Sequence, residues 1–254
     1  MTKLSGKICV VTGASKGLGR TATEALVAEG ARVAMLARSE NELREAAGPL
    51  GDSVLPIRCD VSDAASVNAA FAEAVRHFGR IDALVSNAAS MVISRIEDAS
   101  DSQILQQINV NIAGAIFCAR AAIPHLRAAG GGDILFIGSE SARTAFPYLA
   151  MYSATKSAVE QLAHGLREEL RNQRTRVTAV RLGRTEGSSL RQANDESIVR
   201  DFIADMTTGG YLSQTGEAME RTSVAQLLIA LLSLPPDINI DLVVPRGRTA
   251  ADRT

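Results

Sequence analysis

Short apolar runs alternate with stretches in which apolar residues recur every three or four positions through the first 180 residues of the chain. The runs Ile8 to Val11, Arg32 to Ala37, Val54 to Cys59, Ala83 to Ser86, Ile134 to Ile137 and Arg176 to Arg181 predict strands, and Val243 lies in a last, weaker one. Between the first two, Leu18, Ala22, Ala25 and Leu26 form a helical stripe that ends at Gly30. Ser39 and Glu42 have capping-box spacing and open the next helix. Ser62 reads as the N-cap of a helix reaching to about Phe78 and closed by Gly79.

This strand–helix rhythm predicts an α/β fold of the Rossmann-like kind: a doubly wound parallel sheet, helices on both faces, right-handed crossovers. No repeat, linker or low-complexity segment divides residues 1–254, so one domain is expected. The rhythm breaks at Gly183 to Thr222, a long polar segment enclosing a short amphipathic helix with Ile198, Val199, Phe202, Ile203 and Met206 on one side. Connections of that length inside compact domains are commonly lids or binding loops, and a substrate lid is the expectation for about 183–222.

Composition removes several classes of function. The chain is long enough for a sizeable core. A formal net charge of -1 argues against a nucleic-acid partner, whose footprint would be basic. The longest apolar stretch, near Leu227 to Leu234, is too short to span a membrane, and the mostly polar Met1 to Lys7 predicts no signal peptide. Cys9, Cys59 and Cys118 stand singly among apolar neighbours and read as buried, reduced thiols of a cytoplasmic protein. His77, His125 and His164 lack metal-ligand spacing, so no metal site is expected.

The chemistry starts where the first strand ends. Thr12-Gly13-Ala14-Ser15-Lys16-Gly17-Leu18-Gly19 is wedged between strand and helix. Glycines there let backbone approach a pyrophosphate, and the helix N-terminus offers free N–H groups. A dinucleotide would lie at the switch point of such a sheet. An NAD binder would end the second strand in a carboxylate; this chain has Ala37-Arg38, with a second cation at Lys16. Two cations and no carboxylate suit a 2′-phosphate, hence NADP(H).

Tyr152 and Lys156 share one helix face, with Ser139 thirteen residues before the tyrosine. A free phenol titrates near about 10, and bringing it near neutrality takes roughly 4 kcal/mol. A lysine charge ~5 Å away supplies on the order of 3 kcal/mol at an effective dielectric near 20, so Lys156 is expected to do most of that work.

With these motifs in hand, the chain resembles the short-chain dehydrogenase/reductase family, closely over residues 5–185 and loosely beyond. The resemblance implies that Ser139, Tyr152, Lys156 and Asn111 (in NVNIAG) form the catalytic set, Asn111 sitting at a helix kink. It implies cofactor contacts from Gly13, Ser15, Lys16, Gly17, Leu18, Gly19 and Arg38. Further contacts would come from Asp60 and Val61 near the adenine, and from Asn87 and Ala88 in SNAAS. Gly183 and Thr185, with Tyr152 and Lys156, would meet the nicotinamide side. Ser86 and Ala89 depart from the family's NNAG motif, and Leu182-Gly183 replaces its usual Pro-Gly. Thr185 falls two residues after the glycine rather than three, and the C-terminus lacks the usual Asp-Gly-Gly. The implied activity is hydride transfer between NADP(H) and a small-molecule carbonyl or secondary alcohol, in a homodimer or homotetramer. A non-catalytic NADP sensor and an epimerase-like enzyme with hidden redox are the alternatives. The substrate pocket is expected to draw on Glu140, Ser141, Arg143, Phe146, Tyr148, Met91, Val92 and the lid; Arg184 and Arg191 read equally as contacts for an anionic substrate or as solvated loop charges.

Overall fold

The computed structural model describes residues 2–187, 191–192 and 196–248. In chain order the elements are β1 (Ile8–Thr12), α1 (Gly17–Ala28), β2 (Arg32–Ala37), α2 (Glu40–Ala47), β3 (Val54–Arg58) and α3 (Ala64–Phe78). Then come β4 (Ala83–Ser86), β5 (Met91–Val92), α4 (Asp101–Gln107), α5 (Gly114–Ala128), β6 (Gly132–Ser139) and α6 (Ala150–Leu170). The chain continues through β7 (Thr175–Leu182), β8 (Arg191–Gln192), α7 (Glu196–Thr208), α8 (Tyr211–Thr215), α9 (Arg221–Leu232) and β9 (Leu242–Val243).

Seven strands form one parallel sheet in the order β3-β2-β1-β4-β6-β7-β9, while β5 and β8 pair separately. Every residue of β1 is buried, as a strand covered on both faces requires. Alternation along β1 sorts its side chains between two cores. Ile8 and Val10 pack with residues of α3, α5 and α6, among them Phe71, Cys118 and Ala163. Cys9 and Val11 pack with α1, α2 and α9 through Leu26, Leu43 and Leu228. β1 is flanked by β2 on one side and β4 on the other, so the strand order reverses there and leaves a crevice beyond their carboxyl ends.

The N-cap of α3 is Asp63, whose carboxylate accepts from the Ala65 amide at 2.9 Å, not Ser62. Ser62 is held by Asp60 instead. At α2, Ser39 Oγ accepts from the Glu42 amide at 3.4 Å, but the Glu42 carboxylate turns away from the cap. A complete capping box, unforeseen in the sequence, opens α4 at Ser100 and Gln103. Segment 183–222 contains α7 and α8, which form a third cluster: Phe202 and Met206 pack with Ile93, Phe146, Leu149 and Tyr152. Ile203, expected on the same apolar side, is 48% exposed. No helix among the described residues is long and apolar enough to cross a membrane.

Candidate active site

One cavity of about 1000 Å³ lies over the carboxyl ends of the sheet and runs from the start of α1 to the third cluster. Its first end is built by the glycine segment. Gly13 takes φ of +66°, which favours glycine, and a Cβ on Gly19 would come within 2.2 Å of the Gly13 carbonyl oxygen. Gly13, Ser15, Lys16, Gly17 and Leu18 line the cavity; Gly19 does not, and serves this close packing instead. No side chain caps the first turn of α1, and that turn carries no acidic residue, so its free amides form a ready anion site.

The Asn87 amide holds the glycine segment to β4. Its Nδ2 donates to the Thr12 carbonyl oxygen at 2.9 Å, and the backbone N–H groups of Asn87 and Ala88 both donate to Thr12 Oγ1 at 2.9 Å. Thr12 was not singled out from sequence, although it opens the glycine motif. Asn87, Ala88 and Val61 line the cavity. Asp60 is not among the lining residues: its Oδ1 accepts from the Ser62 amide at 2.9 Å and the Ser62 hydroxyl at 2.7 Å.

Arg38 lines the same end, exposed and with no hydrogen bond or ion pair among the described residues. A carboxylate does reach this corner, contrary to the reading from the end of β2. Glu42, on the first turn of α2, lies 3.8 Å from Lys16 Nζ and accepts from Ser15 Oγ at 3.2 Å. The capping-box spacing was the signal that put Glu42 on that turn, but it aimed the side chain at the wrong partner.

At the other end, β6 delivers Ser139 and α6 delivers Tyr152 and Lys156 to one wall. Ser139 Oγ donates to Ser141 Oγ at 3.1 Å and accepts from the Ser141 amide at 3.2 Å. Lys156 Nζ donates to the Ile137 carbonyl oxygen at 2.8 Å and stands 5.7 Å from the centroid of the Tyr152 ring. The expected charge balance is reversed. Burial pushes the Tyr152 phenol up to about 12, against the lowering by its hydrogen bond with Ser139, and burial brings Lys156 down to about 8. Removing a phenolate from water costs more than one lysine, itself poorly solvated, returns.

Asn111 is buried in a π-helical stretch, Ile108–Ala113, between α4 and α5. It does not line the cavity; its Nδ2 donates to the Ser90 carbonyl oxygen at 2.8 Å and Thr155 Oγ1 at 2.9 Å, and its Oδ1 accepts from the Ser90 amide at 2.7 Å. Gly183 and Thr185 line the cavity, with Thr185 Oγ1 donating to the Gly183 carbonyl oxygen at 3.3 Å.

The substrate half is mostly apolar. Met91, Phe146, Leu149, Phe202, Ile203, Met206 and Leu212 line it, with Glu140, Ser141, Arg184, Glu186 and Arg221 among its polar members. Leu149 was not foreseen from sequence, whereas Leu212 and Arg221 fall within the segment expected to form the lid. Arg143, Val92 and Tyr148 lie outside the lining: Arg143 pairs with Glu160 at 3.9 Å, Val92 is buried in the core, and the Tyr148 ring packs on Phe202. The Arg191 side chain lies outside the described residues. Burial pushes the thiols of Cys9, Cys59 and Cys118 up, Cys59 to about 11, which keeps them inert. Among the described residues no group of His, Cys, Asp and Glu side chains could hold a metal ion.

Glycine betaine reductase ATRR of Emericella nidulans is 34% identical over 202 residues, 78% of this chain but 16% of that protein. An uncharacterized oxidoreductase of Staphylococcus aureus is 28% identical over 247 residues, 97% of this chain and 99% of its own. Among solved structures, the closed form of serine dehydrogenase complexed with NADP+ shares 27% identity, with a TM-score of 0.80 over 94% of both chains. An alcohol dehydrogenase from the archaeon Thermococcus sibiricus, complexed with 5-hydroxy-NADP, shares 26% identity, with a TM-score of 0.78 over 94% of this chain and 96% of its own. Residues 7–198 match the family model of short chain dehydrogenases. That match runs from the strand before the glycine segment to the helix over the cavity mouth, and it makes this chain a member of the short chain dehydrogenase family of oxidoreductases.

Proposed function

We propose that this protein is an NADP(H)-dependent oxidoreductase that exchanges a hydride between the nicotinamide and a carbonyl or secondary-alcohol carbon. The observation that carries the reading is one continuous cavity with an uncapped helix N-terminus and two cations at one end and Ser139, Tyr152 and Lys156 at the other. Two neighbours in fold carry NADP-type ligands.

The donor set fits a dinucleotide. The α1 amides suit the pyrophosphate, Arg38 and Lys16 the 2′-phosphate, Val61 the adenine face, and Thr185 and Lys156 the nicotinamide side. When bound, the dinucleotide supplies the hydride chemistry, and the chain supplies orientation and proton handling. Tyr152 gives its proton to the substrate oxygen as a carbonyl is reduced. A phenol held protonated at about 12 still lies below the roughly 16 of a water-like hydroxyl, so transfer to a forming alkoxide runs downhill. Ser139 Oγ donates to the same oxygen and offsets its developing charge. Lys156, fixed on Ile137, supports the phenolate left behind. Asn111 is a positioning residue that ties the Ser90 turn to α6.

Segment 183–222 acts as the substrate lid, its apolar residues closing the chamber around a small substrate. Leu105 on α4 and Ile116 on α5, 54% and 40% exposed, supply an apolar face for pairing copies into a homodimer or homotetramer. Three free buried cysteines accord with a cytoplasmic protein.

The test is NADPH oxidation against ketones, aldehydes, oxoacyl thioesters and oxo acids, with Tyr152→Phe alongside. Turnover should fall at least a thousandfold in the variant while the NADPH Kd stays within about twofold. Loss of NADPH binding in the variant would make Tyr152 structural and end its assigned role.

A further inference from the structure

The corner of the cavity formed by α1 and α2 holds four chemically expressive side chains: Ser15, Lys16, Arg38 and Glu42. Only the first three suit a phosphate. Glu42 is engaged through both carboxylate oxygens, Oε2 accepting from Ser15 Oγ at 3.2 Å and Oε1 facing Lys16 Nζ at 3.8 Å. Its backbone is fixed, because the Glu42 amide donates to the N-cap Ser39. The carboxylate therefore occupies two of the three groups that a 2′-phosphate would use, and it carries the same sign of charge as that phosphate.

We infer that Glu42 is a specificity-determining residue at the adenosine end, one that limits the preference for a 2′-phosphorylated dinucleotide and favours a 2′-hydroxyl. A ribose hydroxyl can donate to Glu42 while Ser15 and Lys16 keep their partner. A phosphate must displace the carboxylate from Lys16 and Ser15, then sit beside it with only Arg38 left unengaged at the start. The inference rests on the proposed dinucleotide reading and adds to it a residue that opposes NADP(H) from within its own site. Lys16 and Glu42 are each about half exposed (side chains 59% and 47%), so the charge effect is that of a water-screened pair: about fivefold in affinity, not a hundredfold.

The experiment uses the whole protein and needs no substrate. Dissociation constants are measured for 2′,5′-ADP and 5′-AMP, and for NADPH and NADH, in the wild type, Glu42→Gln, Glu42→Ala and Arg38→Ala. Both Glu42 variants should bind 2′,5′-ADP and NADPH about fivefold more tightly, with 5′-AMP and NADH both unchanged or weaker. Arg38→Ala should shift the same ratio the opposite way. The ratio between phosphorylated and unphosphorylated probes is the decisive readout, since a general disturbance of α2 moves both together. If the wild type binds the probes but both Glu42 variants leave that ratio where it was, Glu42 has no such role. If the wild type binds none of the four, the dinucleotide reading itself fails, and the Glu42 inference with it.

Discussion

Glu140 follows Ser139 directly and lines the same cavity. Burial pushes its carboxyl from an ordinary value of 4.5 up to about 7, against the lowering influence of Arg184. Between those two pH values the folded chain keeps a proton that the unfolded chain has lost, so this group makes stability fall as pH rises through the window. Below it, both states hold the proton and the effect vanishes. Glu140→Gln should therefore match the wild type near the acid end of the window. Near pH 8 it should be more stable by about 1 kcal/mol, allowing for screening of a half-exposed group. Urea midpoints at the two pH values read this directly, and equal differences at both would remove Glu140 from the pH dependence. The residue's place beside the serine was legible in the sequence. Its charge state was not, because that depends first on how the folded chain covers the carboxyl and then on Arg184, more than forty positions away. The same limit explains Tyr152 and Lys156. One helix turn was enough to bring them together, but burial, which no spacing records, decided both pKa directions.

Between α4 and α5 the chain makes one π-helical stretch, Ile108–Ala113, and Asn111 sits within it. Apolar periodicity does not reveal a widened turn, since the pattern on either side still reads as helix; only the family resemblance implied a kink there. The widened turn places a primary amide where it satisfies three buried partners: the Ser90 amide, the Ser90 carbonyl oxygen and Thr155 Oγ1. Asn111→Ala removes one side chain and strands groups from two other elements at once. Each unsatisfied buried group costs about 1–3 kcal/mol, so a total loss of roughly 3 kcal/mol is expected, measurable as a lower denaturant midpoint. A variant as stable as the wild type would mean that the Ser90 turn finds other partners. Caps show the same division of legibility at the scale of elements. The oxygen-bearing residues before α2 and α3 were readable, whereas which oxygen caps was settled by neighbours: Asp60 draws Ser62 away and leaves the cap to Asp63.

Across the whole molecule, two cores cover the faces of the sheet, and a third, smaller cluster stands over its carboxyl edge. The first two were legible as a rhythm, because continuous apolar strands demand helices on both sides. The third was legible only as an amphipathic helix, since its partners Phe146, Leu149 and Tyr152 come from another region of the chain. It also has its own fastening. The Arg95 guanidinium lies 4.7 Å from the Tyr148 ring centroid, donates to Tyr148 Oη at 2.9 Å and stands 4.0 Å from Asp205 on α7. Tyr148 packs edge-on against Phe202, 6.3 Å between centroids, and holds a φ of +60° that a non-glycine residue adopts only where its surroundings enforce it. Phe202 is thus, with Met206, a buried apolar anchor of α7, and it belongs to neither of the two cores that cover the sheet. Truncating a core phenylalanine costs about 3–5 kcal/mol where collapse is prevented, but an element docked on the surface can open locally instead. Phe202→Ala should therefore raise the rate of proteolytic cleavage within 196–212 by about tenfold or more. The global unfolding midpoint should fall by only a few degrees, because the two large cores are untouched. If the midpoint instead drops as for a residue of the main cores, with no selective cleavage, α7 unfolds only with the whole domain, and a lid that moves by itself is ruled out.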